Sequence, residues 1–336
     1  MKILVTGGAG YIGSHTCVNL LNDGYDVVIV DDLSNSNIDV IDKINKITNK
    51  KVKFYQENLI NYDALKKIFF DEKIDAVIHF AGFKAVFESV KDPLKYYNNN
   101  LNSTITLLRV MKEFNCKRLV FSSSATVYGK PKSLPICENF DLSTTNPYGT
   151  TKLMIENILK DLYYSDNTWS IVILRYFNPI GAHESGLLYE NPHGIPNNLM
   201  PYIIKVANKE LPYLNIFGND YDTIDGTGVR DYIHVVDLAR GHICAIKYCF
   251  KNNVCDCFNL GTGRGTSVLE LVNAFSKVNN VDIPYVIKER REGDIDACYA
   301  SCDKALKILK FKAEKDINDM CYDAYSFIRN GDKNGK

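Results

Sequence analysis

The sequence predicts an α/β fold. A doubly wound parallel sheet is expected over residues 1–177 and a smaller mixed α/β domain over 178–336, with some later segments returning to the first. Three observations predict this. Strand and helix patterns alternate through the first half, and a glycine-rich turn joins the first strand to the first helix. Beyond residue 178 the texture shifts to Pro, Gly and Asn.

Lys2–Thr6 reads as a short buried strand, and Cys17, Leu20 and Leu21 mark one face of a helix ending near Gly24. Asp26–Val30 and Val52–Gln56 are the next strands. Leu65, Ile68 and Phe69 mark a helix before the strand Asp75–Phe80. A helix from about Pro93 to Phe114 precedes the strand Arg118–Ser122. Ile155, Ile158, Leu159 and Leu162 give an i, i+3, i+4, i+7 stripe before the strand Ser170–Tyr176. Such alternation argues for a parallel sheet covered on both faces. Residues 179–232 are expected to be loop-rich. A helix over Val236–Phe250 and a strand over Cys257–Leu260 follow, and Ser267-x-x-Glu270 reads as a capping box above a stripe of Val268, Leu271, Val272 and Phe275. The polar end, Gly331–Lys336, is expected to fray.

The 336 residues carry 40 Lys plus Arg against 40 Asp plus Glu. A neutral chain of this length buries a core without staples and lacks the cationic surplus of a general nucleic-acid binder. An anionic ligand must therefore meet a local cluster of charge. No apolar run approaches a membrane span or a signal peptide, and the 10 scattered cysteines read as reduced thiols of a cytoplasmic protein. Cys255 and Cys257 are expected to face opposite ways, and no Cys/His spacing suggests a metal site.

Gly7, Gly10 and Gly13 stand where a tight turn opens a helix, so the backbone can approach a pyrophosphate at the helix N-terminus. Asp31, at the end of the second strand, can accept from ribose hydroxyls and would repel a 2′-phosphate, which favours NAD over NADP. This is a Rossmann-type arrangement.

Tyr148 and Lys152 are four residues apart at the start of the helix bearing the Ile155 stripe, and so share a face. A neighbouring ammonium favours the phenolate, so the pair suits proton transfer with a sugar hydroxyl. Ser124 follows the strand before that helix, at the sheet end where ligands gather, and is placed to bond the same hydroxyl.

Gly7-x-x-Gly10-x-x-Gly13, Asp31, Ser124 and Tyr148-x-x-x-Lys152 resemble the extended short-chain dehydrogenase/reductase family, in particular its epimerases of nucleotide sugars. The likeness runs almost end to end, through TGGAGYIGSH (6–15), VIHFAGFKAVFESV (77–90), FSSSATVYG (121–129), PYGTTK (147–152), LRYFNPIGAH (174–183), GIPNNLMPYI (194–203), IFGNDY (216–221), DGTGVRDYIHVVDLA (225–239) and RREGD (290–294).

The resemblance implies reversible, NAD-dependent inversion at C4 of a UDP-hexose (UDP-galactose/UDP-glucose) through a 4-keto intermediate. Ser124, Tyr148 and Lys152 would be catalytic, and NAD would stay bound and be regenerated each turnover. It also implies cofactor contacts from Tyr11, Ile12, Asn35, Asn58, Leu59, Phe80, Ala81, Gly82, Lys84, Asn99 and Phe177. Substrate contacts would come from Lys84, Asn178, Asn198, Leu199, Asn215, Ile216, Phe217, Arg230, Arg291 and Asp294. Guanidinium groups suit a diphosphate because they bind its oxygens bidentately.

Two positions depart from the family pattern. Asn58 replaces an Asp expected to accept from the adenine amino group, and its amide oxygen can still accept. Cys298 replaces a bulky Tyr of some members. It enlarges the space beside the sugar, so UDP-N-acetylglucosamine and UDP-N-acetylgalactosamine are expected to enter unless Tyr299 refills it.

Two rivals remain. A 4,6-dehydratase or decarboxylase of the family would carry an acidic pair where Ala125 and Thr126 stand. A non-catalytic NAD-sensing regulator would not need an intact Ser124, Tyr148 and Lys152. A homodimer is implied through helices near 93–114 and 148–165; Tyr96, Leu101, Leu107 and Leu108 can supply its apolar face, though a monomer's core would use the same residues.

Overall fold

The computed structural model describes residues 1–191, 198–291 and 293–334. In chain order the elements are β1 (Lys2–Thr6), α1 (Tyr11–Asn22), β2 (Asp26–Asp31), α2 (Asp39–Thr48), β3 (Lys53–Gln56), α3 (Tyr62–Glu72), β4 (Ala76–His79), α4 (Val86–Lys91), α5 (Pro93–Glu113), β5 (Arg118–Ser124), a 3₁₀ turn (Ala125–Tyr128), α6 (Pro147–Ser165) and β6 (Ser170–Tyr176). There follow β7 (Asn178–Ile180), α7 (Leu199–Ala207), β8 (Leu214–Phe217), β9 (Val229–His234), α8 (Val235–Cys249), β10 (Cys255–Leu260), β11 (Gly265–Ser267), α9 (Val268–Asn279), β12 (Tyr285–Lys288), β13 (Ala297–Cys298), α10 (Ile317–Ala324) and α11 (Ser326–Asn334).

Seven strands pair in parallel in the order β10-β6-β5-β4-β1-β2-β3. The five inner strands carry apolar runs buried on both faces, as a sheet clad by helices on either side requires, while the edge strands β3 and β10 are only partly buried. The strand order reverses between β1 and β4, which opens a crevice at their carboxyl ends.

The edge strand β10 comes from far beyond residue 178, and α8 packs against α1. The rest of the later chain forms its own core. Ile180, Met200, Ile203, Leu214, Ile216, Leu271, Phe275 and Met320 gather around α7, α9 and α10.

Several sequence expectations need correction. Residues 179–232 hold β7, α7, β8 and β9 rather than loop alone. Each is short, and the partners of three of them are distant in sequence: Asn178 pairs with Tyr232, and Leu214 with Tyr285. Helices α2, α4, α10 and α11 were not anticipated. The chain end does not fray at Gly331, because α11 continues to Asn334; residues 335–336 lie outside the described residues. Cys255 and Cys257 do not face opposite ways. Both pack on one apolar cluster, since residues two apart on a strand share a face. The capping box at Ser267 and Glu270 forms as expected.

Candidate active site

The crevice at the sheet's switch point is a cleft of about 480 Å³. Its floor is built by glycine. Gly7 has φ +67°, and a Cβ there would lie 2.8 Å from the Ala81 nitrogen. A Cβ on Gly13 would lie 2.3 Å from the Gly7 oxygen. Neither position tolerates a side chain, so the turn hugs both β4's exit and the first turn of α1. No side chain caps α1, and Tyr11, Ile12 and Gly13 line the cleft, leaving first-turn N–H groups and the positive helix end for an anion.

Asp31 closes the far side. Its Oδ2 accepts from the Ala9 N–H at 3.0 Å. Its Oδ1 accepts from the Leu33 N–H and the Ser36 hydroxyl, both at 2.9 Å. Burial pushes its pKa up, while these bonds pull it down. Three of the carboxylate's roughly four lone-pair sites are thus taken, and Oδ2 keeps capacity for a ribose hydroxyl. Asn58 donates from Nδ2 to Asp32 at 3.1 Å and accepts from the Ile60 N–H at 3.0 Å.

Asn35, Leu59, Phe80, Ala81, Gly82, Lys84, Asn99 and Asn198 also line the cleft. The collision-limited cradle, the uncapped helix and the terminal acid together fit a dinucleotide without a 2′-phosphate.

At the mouth, the Asn146 side chain accepts from the Gly149 N–H at 2.8 Å, and Pro147 starts α6. This N-cap sets the helix angle that brings Tyr148 and Lys152 into the cleft. Lys152 Nζ donates to the Ser122 carbonyl at 2.7 Å and lies 5.0 Å from the Phe121 ring centroid. Burial lowers its pKa to about 8, against the attraction of Glu156.

Burial raises the Tyr148 pKa, and the hydrogen bond with Ser124 is what lowers it. The sequence assigned that lowering to Lys152. Here the ammonium is 5.9 Å from the Tyr148 ring centroid and tied to a carbonyl instead. Ser124 does not itself line the cleft. Its oxygen accepts from the Thr126 N–H at 3.2 Å and the Thr126 hydroxyl at 3.0 Å, which fixes its orientation.

A second group assembles on the smaller core. Arg291 donates to Asp294 at 2.9 Å and stacks 4.9 Å from the Phe217 centroid. Arg230 reaches Asp294 at 4.0 Å and donates to the Val229 and Ile295 carbonyls. Among the described residues these four are drawn together, with Asn215 exposed on the same strand as Phe217.

Alternation along β8 turns the Ile216 side chain into the core, which leaves its backbone to meet a ligand. Leu199 packs at the edge of that core. Phe177 is buried with Val127 and Tyr128, and Cys298 packs on the same cluster. Asn178 is exposed at the start of β7. None of these lines the 480 Å³ cleft. Residues 194–197 and 292, within two segments of the resemblance, lie outside the described residues.

Sequence reasoning missed several residues. Glu190 lines the cleft, accepts from Asn198 Nδ2 at 2.6 Å and pairs with Lys84 at 3.5 Å, so the Lys84 charge is partly answered already. Asn100 accepts from the Phe83 N–H and donates to Thr151, joining the loop after β4 to α6. Tyr96 donates to Glu88 and accepts from the Ala85 N–H beneath that loop. No local period marks these three, whose partners named here are 8 to 106 residues away.

Residues 3–261 match the model of the family described as NAD dependent epimerase/dehydratase. The UDP-glucose 4-epimerase of Bacillus subtilis (strain 168) is 55% identical over 325 residues, 97% of this chain and 96% of the relative. The crystal structure of UDP-glucose 4-epimerase from Bifidobacterium longum, in complex with NAD⁺ and UDP, is 52% identical with a TM-score of 0.93 and covers 100% of both chains. The UDP-glucose-4-epimerase structure from Stenotrophomonas maltophila, with bound NAD and formylated UDP-arabinopyranose, is 46% identical with a TM-score of 0.97 and covers 99% of each. With likeness of this extent in both sequence and fold, the chain belongs to the NAD dependent epimerase/dehydratase family.

Proposed function

We infer that the protein is an NAD-dependent isomerase that inverts C4 of a UDP-hexose, interconverting UDP-galactose and UDP-glucose. The observation that carries this reading is Tyr148 and Lys152 together in a cleft built for a dinucleotide, beside the strand end that bears Ser124. NAD held there by the Gly7–Gly13 turn and Asp31 would supply reversible hydride acceptance and a positive nicotinamide.

Tyr148 takes the proton of the 4-hydroxyl and later gives it back. Burial keeps the phenol protonated at rest, so positive charge arriving beside it is what frees the phenolate. Ser124 bonds the reacting oxygen. Lys152, anchored on the Ser122 carbonyl, adds positive charge within the cleft. Arg230 and Arg291 hold the diphosphate, Phe217 stacks on the base and Asp294 meets the ribose. The 4-keto sugar can then turn while its UDP stays fixed: remote binding energy holds an otherwise loose ring.

Residues 1–177, with the strand and helix that return to the large sheet, serve the cofactor; the remainder serves the UDP-sugar. Dehydration is disfavoured because Ala125 has no acid–base group and the Thr126 hydroxyl is bonded to Ser124.

The sugar range extends to the N-acetylated UDP-hexoses. Supporting this, Tyr299 is turned onto Gly265 rather than toward the apolar cluster of Cys298 and Phe177. The protein works in the cytoplasm, a reading supported by its ten free thiols.

The functional unit is a homodimer. Tyr96, Leu107 and Leu108 are buried within the chain and cannot supply its face; Leu94, Ile105 and Met154, exposed on α5 and α6, can. Sedimentation of a Leu94→Glu, Met154→Glu variant as a monomer supports that face, and an unchanged dimer contradicts it. The activity is tested by supplying UDP-galactose to purified protein without added NAD. UDP-glucose should form, and its absence overturns the reading.

A further inference from the structure

Glu156 lies one helical turn beyond Lys152 and two beyond Tyr148, so α6 presents all three toward the sheet. Its carboxylate is fully buried. Burial of a charge demands partners, and the structure supplies them from two strands. From β5, the Ser123 hydroxyl donates at 2.6 Å. From β6, Arg175 donates through Nε at 2.9 Å and Nη2 at 2.6 Å as a bidentate pair.

Arg175 Nη1 continues to the Tyr128 hydroxyl at 2.9 Å and the Glu138 carbonyl at 3.2 Å, and Tyr128 donates to Asn259 on β10 at 2.7 Å. Each partner adjoins the candidate chemistry. Ser123 precedes Ser124, Tyr128 ends the turn that follows it, and Arg175 precedes Tyr176, which lines the cleft.

We propose that Glu156 is a positioning residue for the epimerisation, registering α6 on the Ser124 strand end and placing a buried anion one helical turn from Lys152. The proposal rests on the functional reading above.

The groups around Lys152 leave Glu156 that role. β5 offers the Ser122 carbonyl and the Phe121 ring. β4 offers His79, which burial holds neutral with a pKa of about 3. α5 reaches the neighbouring Thr151 with the uncharged Asn100. On α6 itself stand Tyr148 and Glu156. Around Glu156 are Arg175, Ser123, Lys160 at 3.9 Å, and the thiols Cys255 and Cys257 of β10, which burial keeps protonated. The ammonium thus sits in a site that burial disfavours for charge, with one buried anion opposing that cost.

The test compares Glu156→Gln with the double variant Glu156→Gln, Arg175→Met. The second leaves no unpaired guanidinium in the core, so it folds where the first does not. Thermal unfolding and retained NAD are measured first. The Lys152 pKa is then followed by ¹³Cε chemical shift, assigned with Lys152→Met, and turnover of UDP-galactose is followed against pH. In the folded double variant the Lys152 pKa and the alkaline limb of kcat both move about one unit lower. At pH 8 kcat falls about fivefold while KM changes little. A Lys152 titration that does not move, or a uniform loss of kcat at every pH, overturns the proposal and leaves Glu156 a structural residue. The shift measurement does not need turnover, so an inactive unmutated protein would count against the functional reading alone.

Discussion

Lys152 Nζ donates to the Ser122 carbonyl at 2.7 Å and stays 5.9 Å from the Tyr148 ring centroid. The two catalytic candidates share a helix face without a direct bond. The ammonium acts as a fixed charge on the floor of the cleft, and the Ser124 hydroxyl is the group that pulls the Tyr148 pKa down against burial.

That division of labour predicts the alkaline behaviour. Burial lowers Lys152 to about 8, so its charge is complete well below that pH and is lost as the pH rises through it. kcat/KM for UDP-galactose should fall across that region with unit slope, and Lys152→Met should remove this limb together with most of the activity. A pH–rate profile that stays flat there contradicts the assignment.

Asp31 accepts from Ala9, Leu33 and Ser36 while facing the cleft. Removing its charge with Asp31→Asn keeps much of this bonding but no longer repels a 2′-phosphate. NADP should gain at least about tenfold in affinity relative to NAD. Titration of apoprotein with both cofactors checks this; an unchanged ratio removes Asp31 from cofactor selection.

Arg291 is the exposed partner of Asp294, and its ring contact is Phe217. A charge-assisted bond to phosphate contributes about 1.5–3 kcal/mol, so Arg291→Ala should raise KM for UDP-galactose about 10- to 100-fold. Retained NAD and the unfolding temperature should hardly change. Loss of NAD with KM unaltered would place Arg291 elsewhere.

Cys298 packs beside Phe177, and Tyr299 is committed to Gly265. Cys298→Tyr should lower turnover of UDP-N-acetylgalactosamine by at least about tenfold relative to UDP-galactose. The activity ratio on the two sugars measures this directly. Equal losses on both, or no turnover of the N-acetyl sugar by the unmutated protein, count against the wider range.

How much of this was legible in the sequence follows from where the constraints act. Gly7 and Gly13 are readable because backbone atoms 2.8 and 2.3 Å away forbid any side chain, a demand met by one residue type. Tyr148 and Lys152 are readable because a helix converts a spacing of four into a shared face. The large sheet is readable because strands buried on both faces must be apolar throughout.

Other features depend on distant partners. β8 is four residues long and exists because β12 lies beside it. Helix α2 does carry Ile41, Ile44 and Ile47 at helical spacing, but a polar, Asn-rich lead-in obscured it. Glu190, Asn100 and the Glu156–Arg175 pair are polar residues whose roles come from tertiary contact, and no spacing announces them. Ile216 shows the converse. Its position matched the resemblance, yet strand alternation turned its side chain inward.

The most direct test of the central claim is the interconversion of UDP-galactose and UDP-glucose by Tyr148→Phe, purified with its NAD in place and compared with the unmutated protein. Losing the phenolic oxygen removes the acid–base group while leaving ring packing intact, so turnover should fall by about 10²–10⁴-fold with NAD retention unchanged. Turnover by Tyr148→Phe equal to that of the unmutated protein would contradict the account.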